Sequence, residues 1–249
     1  MIFYLGTHRT SQPWWDLGVP LFISRRRLAE RKSLLEARAP WALDSGGFTE
    51  LSAGEWKTSA RTYIGEVRRF QQIGQLEWVA PQDYMCEPQI LARTGLTVAE
   101  HQRRTVENFL RLRDELGLLV VPVLQGWVRD DYLRCWELYD RHLSLECERL
   151  VGLGTICRRQ ATGEAARIVG SLAPPLRLHG FGVKLTGLAR FGHLLASADS
   201  LAWSYRGRRS KPLPGCTHAN CANCIRFAGL WRQRVIREQE ARECQPVAA

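Results

Sequence analysis

The sequence predicts an α/β protein of the (β/α)8 TIM-type barrel class with a small C-terminal zinc-binding appendage. The chain has 249 residues, about the length of one minimal barrel. Eight short apolar runs bounded by Gly, Pro or Asp lie along it, and helical patterns follow most of them. Strands that alternate with helices predict a parallel sheet, and eight such units favour a closed barrel over the alternative, an open doubly wound sheet.

The predicted elements follow in chain order. The strands are residues 2–5, 20–23, 41–43, 78–80, 119–124, 150–153, 176–181 and 200–203. The helices are 25–38, 58–73, 97–116, 130–142, 162–172 and 188–196, and a basic helical stretch covers 224–242. Thr97 and Glu100 have capping-box spacing, which marks the start of a helix. Segment 7–19, with Trp14 and Trp15, is predicted to be a loop.

The composition bounds the domain organisation and the class of protein. It changes after residue 203, so we place the barrel domain at 1–203 and the basic appendage with its C-terminal helix at 204–249. The longest uncharged apolar stretch, 116–128, has 13 residues, too few for a membrane span, and no signal-peptide pattern opens the chain. We therefore expect a cytoplasmic protein with no membrane partner. The net charge of +10 favours a polyanionic partner.

Polar residues and glycines lie at the ends of several predicted strands, and in a barrel the carboxyl ends of the strands form the active site. They are Asp44, Asp83, the pair Gln125 and Gly126, Gly152 in a Gly-rich run, and Asp199, which opens the eighth apolar run. One carboxylate can act as a nucleophile at an electrophilic carbon while another carries a proton. A further carboxylate and a glutamine amide can recognise the edge of a planar heterocycle such as guanine. A single Asp in such a position is more often a helix cap, so the argument depends on the set.

The run from Asp44 to Phe48, Asp-Ser-Gly-Gly-Phe, resembles the signature of the tRNA-guanine transglycosylase superfamily. These proteins are zinc-bearing α/β barrels that exchange guanine for a 7-deazaguanine. The short chain and the segments HGFGVK and SADSLAWS resemble the branch of deazapurine DNA-modification proteins. The resemblance covers roughly residues 40–224.

The resemblance implies a role for each matching residue. Asp199 would be the nucleophile that attacks the sugar C1′, and Asp44 the general acid and base. Asp83 and Gln125 would read the base edge, and Gly152 would offer a backbone contact. The remaining implied substrate-binding residues are Ser45, Gly46, Gly47, Phe48 and Gly126.

One position departs from the superfamily pattern. A second Asp usually stands three residues after the first on the eighth strand and is the nucleophile, but Ala202 is found here. Three alternatives stay open: Asp199 takes the role, the nucleophile lies elsewhere, or the protein is inactive. We favour the first, because Asp199 is the only carboxylate between Glu164 and Glu238.

A group of metal-ligand residues lies within nine positions near the C-terminus. Cys216, His218, Cys221 and Cys224 have the ligand types and spacing of a tetrahedral, structural Zn²⁺ site. In the superfamily the fourth ligand is a distant His, so the fourth ligand is the least determined, and Cys244 is an outside candidate.

Basic residues flank the expected site and predict contacts with phosphates. They are Arg158, Arg159, Arg206, Arg208, Arg209 and Lys211. We expect nucleic acid as the partner, DNA in preference to tRNA, with a free 7-deazaguanine base of the 7-cyano type as the second substrate and a homodimer as the oligomer to test. A tRNA-guanine transglycosylase, a base hydrolase and an inactive nucleic-acid-binding barrel are the alternatives.

Overall fold

Eight short strands, all parallel, form one curled sheet in the computed structural model, which describes residues 1–243. The strands are β1 (Ile2–Thr7), β2 (Leu21–Ser24), β3 (Trp41–Asp44), β4 (Leu76–Val79), β5 (Val123–Leu124), β6 (Val151–Leu153), β7 (Leu178–Gly180) and β8 (Leu195–Ser200). Their spatial order is β4-β3-β2-β1-β8-β7-β6-β5, and β1 pairs in parallel with both β2 and β8. The predicted eight-stranded parallel α/β sheet is confirmed.

The two edges of this sheet, β4 and β5, lie next to each other. A single parallel bridge joins Val79 at the end of β4 to Val120, three residues before β5 begins. The amide of Val121 donates a hydrogen bond to the carbonyl of Val79 at 3.2 Å. The sheet is therefore curled far enough to bring its edge strands, β4 and β5, together along this seam.

Helices connect and cover the strands. They are α1 (Gln12–Trp15), α2 (Gly47–Ser52), α3 (Ala60–Phe70), α4 (Pro88–Thr94), α5 (Val98–Leu116), α6 (Arg129–Asp140), α7 (Gly163–Leu172), α8 (Leu185–Phe191), α9 (Ala202–Arg209) and α10 (Ile225–Glu243). Thr97 caps α5 by accepting a hydrogen bond from the amide of Glu100, as its spacing predicts. None of the helices within residues 1–243 is long and apolar enough to cross a bilayer.

Two early elements differ from the prediction. The predicted helix 25–38 is wrong: only Arg25–Arg27 form a single 3₁₀ turn. The amide of Ala37 donates to the carbonyl of Ile73 at 2.9 Å, and the amide of Arg38 donates to that of Trp15 at 3.2 Å. The backbone of the segment therefore bonds distant parts of the chain instead of continuing a helix. The predicted loop 7–19 contains the short helix α1, because Trp14 and Trp15 both pack into the core.

The end of the sheet also differs. The last strand is β8, not 200–203, and the predicted helix 188–196 ends at Phe191. This strand carries small residues whose apolar signal in the sequence is weak, although nearly all of it is buried. Trp203 supplies the apolar signal that we assigned to a strand, but it lies in α9, where its indole donates to the carbonyl of Gly6 at 2.7 Å. Asp199 consequently lies at the carboxyl end of the strand rather than before it.

The C-terminal residues pack on the same core as the sheet. Ala228, Trp231 and Val235 of α10 belong to the main hydrophobic cluster, and the rings of Trp231 and Phe3 lie 5.7 Å apart. The last helix therefore takes part in covering the strands.

Candidate active site and metal centre

A cavity of about 280 Å³ opens at the carboxyl ends of the strands. Six of the residues singled out in the sequence line it: Asp44, Gly47, Phe48, Asp83, Gln125 and Asp199. They come from the ends of β3, β4, β5 and β8 and from the loops that follow. Because parallel strands direct these ends to one face, residues far apart in sequence meet there.

Asp44 is the last residue of β3 and is held from two sides. Its carboxylate accepts hydrogen bonds from the Ser24 hydroxyl and from the backbone amide of Gly46. Burial raises the pKa of Asp44, and the negative charge of Asp199 raises it further. Both effects favour the protonated form of this carboxyl, which is the form that can donate a proton.

Asp83 and Gln125 form one hydrogen-bonded unit across the seam between β4 and β5. The Gln125 amide nitrogen donates to Asp83 Oδ2, and the Thr155 hydroxyl donates to Gln125 Oε1 at 2.6 Å. Because the Thr155 hydroxyl bonds the oxygen of the Gln125 side-chain amide, the NH2 group of that amide points toward Asp83. Burial, followed by the charge of Asp44, raises the pKa of Asp83 to about 7.

Gly154 gives the Gln125 side chain its space. A Cβ atom added at Gly154 would lie 2.2 Å from Gln125 Nε2, far inside contact distance. Gly154 lines the cavity, whereas Gly152, the glycine singled out in the sequence, lies two residues earlier and faces Phe181 and Val123. The backbone of the β6 loop that approaches the cavity is therefore that of Gly154.

Asp199 reaches the cavity from the end of β8. Its Oδ1 accepts a hydrogen bond from the Gly182 amide at 2.9 Å, and His179 Nε2 lies 3.4 Å from the same oxygen. Ala202 is the first residue of α9, and it is not among the residues that line the cavity. Asp199 is thus the β8 carboxylate that faces this space.

The other substrate-binding candidates lie around the rim or behind it. Ser45 is buried, and its hydroxyl has no hydrogen-bond partner among residues 1–243. Gly46 has φ 80° and precedes α2, beside the Arg26 side chain. Gly126 packs against Asp131 and Tyr132, outside the cavity lining.

The basic candidates fall into two groups. Arg158 is exposed at the rim, with its guanidinium 4.7 Å from the ring centre of Phe48, which is itself 44% exposed. Arg159 is buried against Trp127 at 4.3 Å and lies 3.5 Å from Glu164. The remaining four, Arg206, Arg208, Arg209 and Lys211, are exposed.

His8 lines the cavity and senses the charge of Arg208 in α9. It follows β1, and sequence reasoning missed it. Burial, and then the charges of Arg27 and Arg208, lower the pKa of its imidazole. Arg208 is therefore close enough to act on the cavity mouth electrostatically.

Sequence reasoning also missed Glu87, Thr155 and Cys157, which line the same cavity. Glu87 is buried, its carboxylate lies 3.3 Å from the Thr155 hydroxyl oxygen, and burial raises its pKa. Burial raises the pKa of the Cys157 thiol to about 11. Glu87 lies only four residues after Asp83 in the loop that joins β4 to α4, and that nearness to a strand-end carboxylate is the one signal that could have found it.

The Cys/His cluster is placed to bind a metal ion. One ligand atom from each of Cys216, His218, Cys221 and Cys224 lies within 4.8 Å of the others. His218 Nε2 is 3.2 Å from Cys221 Sγ, and the Sγ atoms of Cys216 and Cys224 are 3.9 Å apart. Three thiols and an imidazole at these separations fit Zn²⁺. Cys244, the outside candidate, lies outside the described residues.

The cluster is built directly onto α9. The Cys221 amide donates to the carbonyl of Gly207 at 3.0 Å, and the Ser204 hydroxyl donates to the carbonyl of Ala222 at 2.7 Å. A Cβ atom at Gly207 would lie 2.5 Å from the Cys221 carbonyl oxygen, so only glycine permits this approach. The metal-ligand loop therefore holds the arginine-bearing helix in place.

Two comparisons with known proteins complete these observations. A family model described as DpdA, DeoxyPurine in DNA protein A, matches residues 1–248. No curated protein matches the chain.

Proposed function

This chain belongs to the DpdA family, and we propose that it is a guanine transglycosylase that replaces guanine in DNA with a 7-deazaguanine base of the 7-cyano type. The family is linked to the insertion of deazapurines into DNA, which supports a DNA-modifying transglycosylase in general. The observation that carries the finer proposal is the meeting of Asp44, Asp83, Gln125 and Asp199 in one cavity.

The first half of the exchange removes guanine. The Asp199 carboxylate attacks the deoxyribose C1′ and forms an ester bond to it while the C1′–N9 bond breaks. The electron pair of that bond passes to the guanine base, and the protonated Asp44 carboxyl gives the base a proton. Guanine leaves as a neutral molecule, and the sugar stays covalently attached to Asp199.

The second half runs in reverse with a different base. The Asp44 carboxylate takes the N9 proton from the incoming 7-deazaguanine, and N9 attacks C1′. The bond from C1′ to Asp199 breaks, and its electron pair returns to the carboxylate. Each carboxylate thus regains its starting state, and no further reactant is consumed.

Asp83 and Gln125 suit the shared edge of guanine and 7-deazaguanine. Their O6 accepts a hydrogen bond, and the Gln125 amide NH2 group can donate it. Their N1–H and N2–H groups donate, and the ionised Asp83 can accept. Because both bases present this edge, one pair of side chains can serve both halves of the exchange.

The size of the cavity indicates that the target base must be flipped out of the DNA helix. The cavity is too small for a base pair, so the target nucleotide must leave the stack to enter it. The exposed arginines of α9 and Arg158 would bind phosphates beside the extruded nucleotide, and their exposure supports that role.

The proposal includes the architecture that supports this chemistry. We infer that the curled sheet closes as a (β/α)8 barrel through the seam at Val79 and Val120, and that residues 204–249 form the appendage. Zinc bound to Cys216, His218, Cys221 and Cys224 would be structural, because four protein ligands leave no open position for water.

The experiment that tests the proposal is exchange of radiolabelled guanine. Purified protein is incubated with DNA that carries label in guanine, with and without 7-cyano-7-deazaguanine, and the bases retained and released are separated. Release of guanine matched by incorporation of the deazapurine supports exchange. Release without incorporation would identify a hydrolase, and exchange confined to tRNA would identify the other polymer as substrate.

A second candidate is an inactive nucleic-acid-binding barrel, which the alanine at position 202 favours. It predicts DNA binding without release of base from any substrate in the same assay. Turnover that depends on both Asp199 and Asp44 would exclude it.

A further inference from the structure

His179 is a buried imidazole on β7 that no step of the proposed exchange yet uses. It has no exposed surface, and four aromatic rings surround it. Their ring centres lie at 6.0 Å for Tyr4, 5.8 Å for Phe22, 4.6 Å for Trp78 and 4.8 Å for Phe181. An apolar enclosure of this kind raises the cost of an unpaired polar atom, so the partners of the two ring nitrogens are informative.

The two nitrogens of His179 have different neighbours. Nδ1 lies 2.8 Å from the Ser197 hydroxyl, which is a hydrogen bond. Nε2 has no hydrogen-bond partner among the described residues, and Asp199 Oδ1 lies 3.4 Å from it. The one polar atom of this ring without a partner thus faces the carboxylate that we assign as the nucleophile.

The position of the ring proton follows from these neighbours. If Nε2 lacked a proton, its lone pair would face a carboxylate oxygen, and the two would repel. A proton on Nε2 makes the contact attractive and leaves Nδ1 as an acceptor, to which the Ser197 hydroxyl donates. The three groups then form a directed series from the Ser197 hydroxyl through the imidazole to Asp199.

We infer that His179 is a positioning residue that fixes Oδ1 of Asp199 and thereby presents Oδ2 to the sugar C1′, an inference that rests on the proposed function. The Gly182 amide donates to Oδ1 at 2.9 Å, and His179 Nε2 faces that same atom. The Gly182 hydrogen bond, joined by one from His179 Nε2–H when that contact shortens, restricts rotation of the carboxylate and leaves the other oxygen for bond formation.

The length of the contact fits a role that develops during the reaction. At 3.4 Å the interaction is weak in the free protein. Hydrogen bonds of catalytic groups often shorten only when the substrate is bound. A small movement of Asp199 toward β7 as the glycosyl ester forms or breaks would bring Oδ1 within bonding distance, and the aromatic enclosure keeps water from taking that place.

The kinetic test compares substitutions in the same enclosure. His179→Phe keeps a planar ring among aromatic neighbours but loses Nε2–H, and we expect kcat for guanine exchange to fall about 10²-fold with KM for the base within about twofold. His179→Gln, which retains a donor, should recover part of the loss. Tyr4→Phe is the control, because it removes from the same enclosure a hydroxyl that bonds Glu77 and Trp78 rather than Asp199, and kcat should stay close to wild type. Equal kcat in wild type and in both His179 variants would overturn the inference.

The second measurement does not depend on turnover. ¹⁵N NMR of the histidine side chains should show the proton of His179 on Nε2, protected from exchange with water and shifted in Asp199→Asn. A proton on Nδ1, or a signal indifferent to Asp199→Asn, would overturn the positioning role even in an active enzyme. An inactive wild type that shows the expected signal would instead count against the proposed exchange reaction and retain the His179–Asp199 contact.

Discussion

The cavity and the Cys/His cluster bring polar residues together in opposite ways. The cavity gathers Asp44, Asp83, Gln125 and Asp199 from separate strand ends, so its geometry depends on the register of the whole sheet. The cluster takes its four ligands from positions 216–224, so its geometry depends on one loop and its contacts with α9. Under the proposed function the two regions have separate roles: changes in the cavity should alter the reaction, and changes in the cluster should alter stability.

The largest effect is expected at Asp199. Asp199→Asn removes the nucleophilic charge while it retains the shape of the side chain, and guanine exchange should fall at least about 10³-fold. The melting temperature should stay within a few degrees of wild type. Asp114→Asn, on the exposed face of α5, is the matched control and should exchange normally. More than a tenth of wild-type exchange in Asp199→Asn would place the nucleophile elsewhere.

Asp83 should control how tightly the base is bound, and its effect should depend on pH. Its pKa is raised to about 7, so below that pH the carboxyl is protonated and no longer accepts the N1–H of the base. We expect kcat/KM for the base to fall as the pH drops below about 7, and Asp83→Asn to lower it about 10²-fold. The variant should show no inflection near pH 7, and an unchanged inflection would assign the titration to another group.

The same shift predicts how stability varies with pH. In the unfolded chain the Asp83 carboxyl ionises near its ordinary value of 3.8, whereas in the folded protein it keeps its proton to about 7. Between these values the folded state binds more protons, so this residue makes the free energy of unfolding decrease as the pH rises. Asp83→Asn removes that contribution, and urea unfolding should find the variant more stable than wild type at pH 8. Equal or lower stability would contradict the shift.

The arginines of α9 should affect the affinity for DNA and not the chemistry. Replacing Arg206, Arg208 and Arg209 by Gln should weaken DNA binding about tenfold and reduce the slope of log K against log salt by about 3. The matched control is Arg111, Arg141 and Arg177 replaced by Gln, all exposed near the opposite end of the sheet. Equal losses in both triple variants would mean that net charge, rather than this surface, attracts the DNA.

The smallest effect on exchange is expected at the cluster. Cys221→Ser should remove bound zinc and lower the melting temperature by about 10 °C, because a ligand of the native state stabilises it. Exchange at 20 °C should change by less than about twofold. Cys147→Ser, at an exposed cysteine outside the cluster, is the control. Full zinc content in Cys221→Ser, or a large loss of exchange in folded protein, would contradict the separation of support from chemistry.

The success of sequence reasoning follows the same division. The ligand set at 216–224 could be predicted from residue types alone, because spacing within one loop determines which atoms can meet. The strand-end carboxylates could be predicted because parallel strands send their carboxyl ends to one face. The family resemblance then supplied roles that residue types alone do not give.

What the sequence could not predict depends on packing across strands. Glu87 and Thr155 line the cavity because the loops after β4 and β6 are in contact. The pattern of apolar residues along the sequence does not predict such a contact between loops. His179 could not be distinguished from an ordinary core histidine until its distance to Asp199 was known. Trp203 misled the strand assignment, because a buried helix residue and a buried strand residue carry the same apolar signal.

The seam between β4 and β5 has a consequence for where the protein opens locally. One bridge at Val79 and Val120 joins the sheet edges, and just beyond it the Asp83–Gln125 hydrogen bond spans the same gap. Local opening of a protein concentrates where backbone pairing is sparse, so the amide of Val121 should exchange its hydrogen early in deuterated water. A base bound to both Asp83 and Gln125 would hold the two edges of the sheet together. Deuterium uptake at the amide of Val121 should then slow when a base occupies the cavity, although Val121 does not line that cavity.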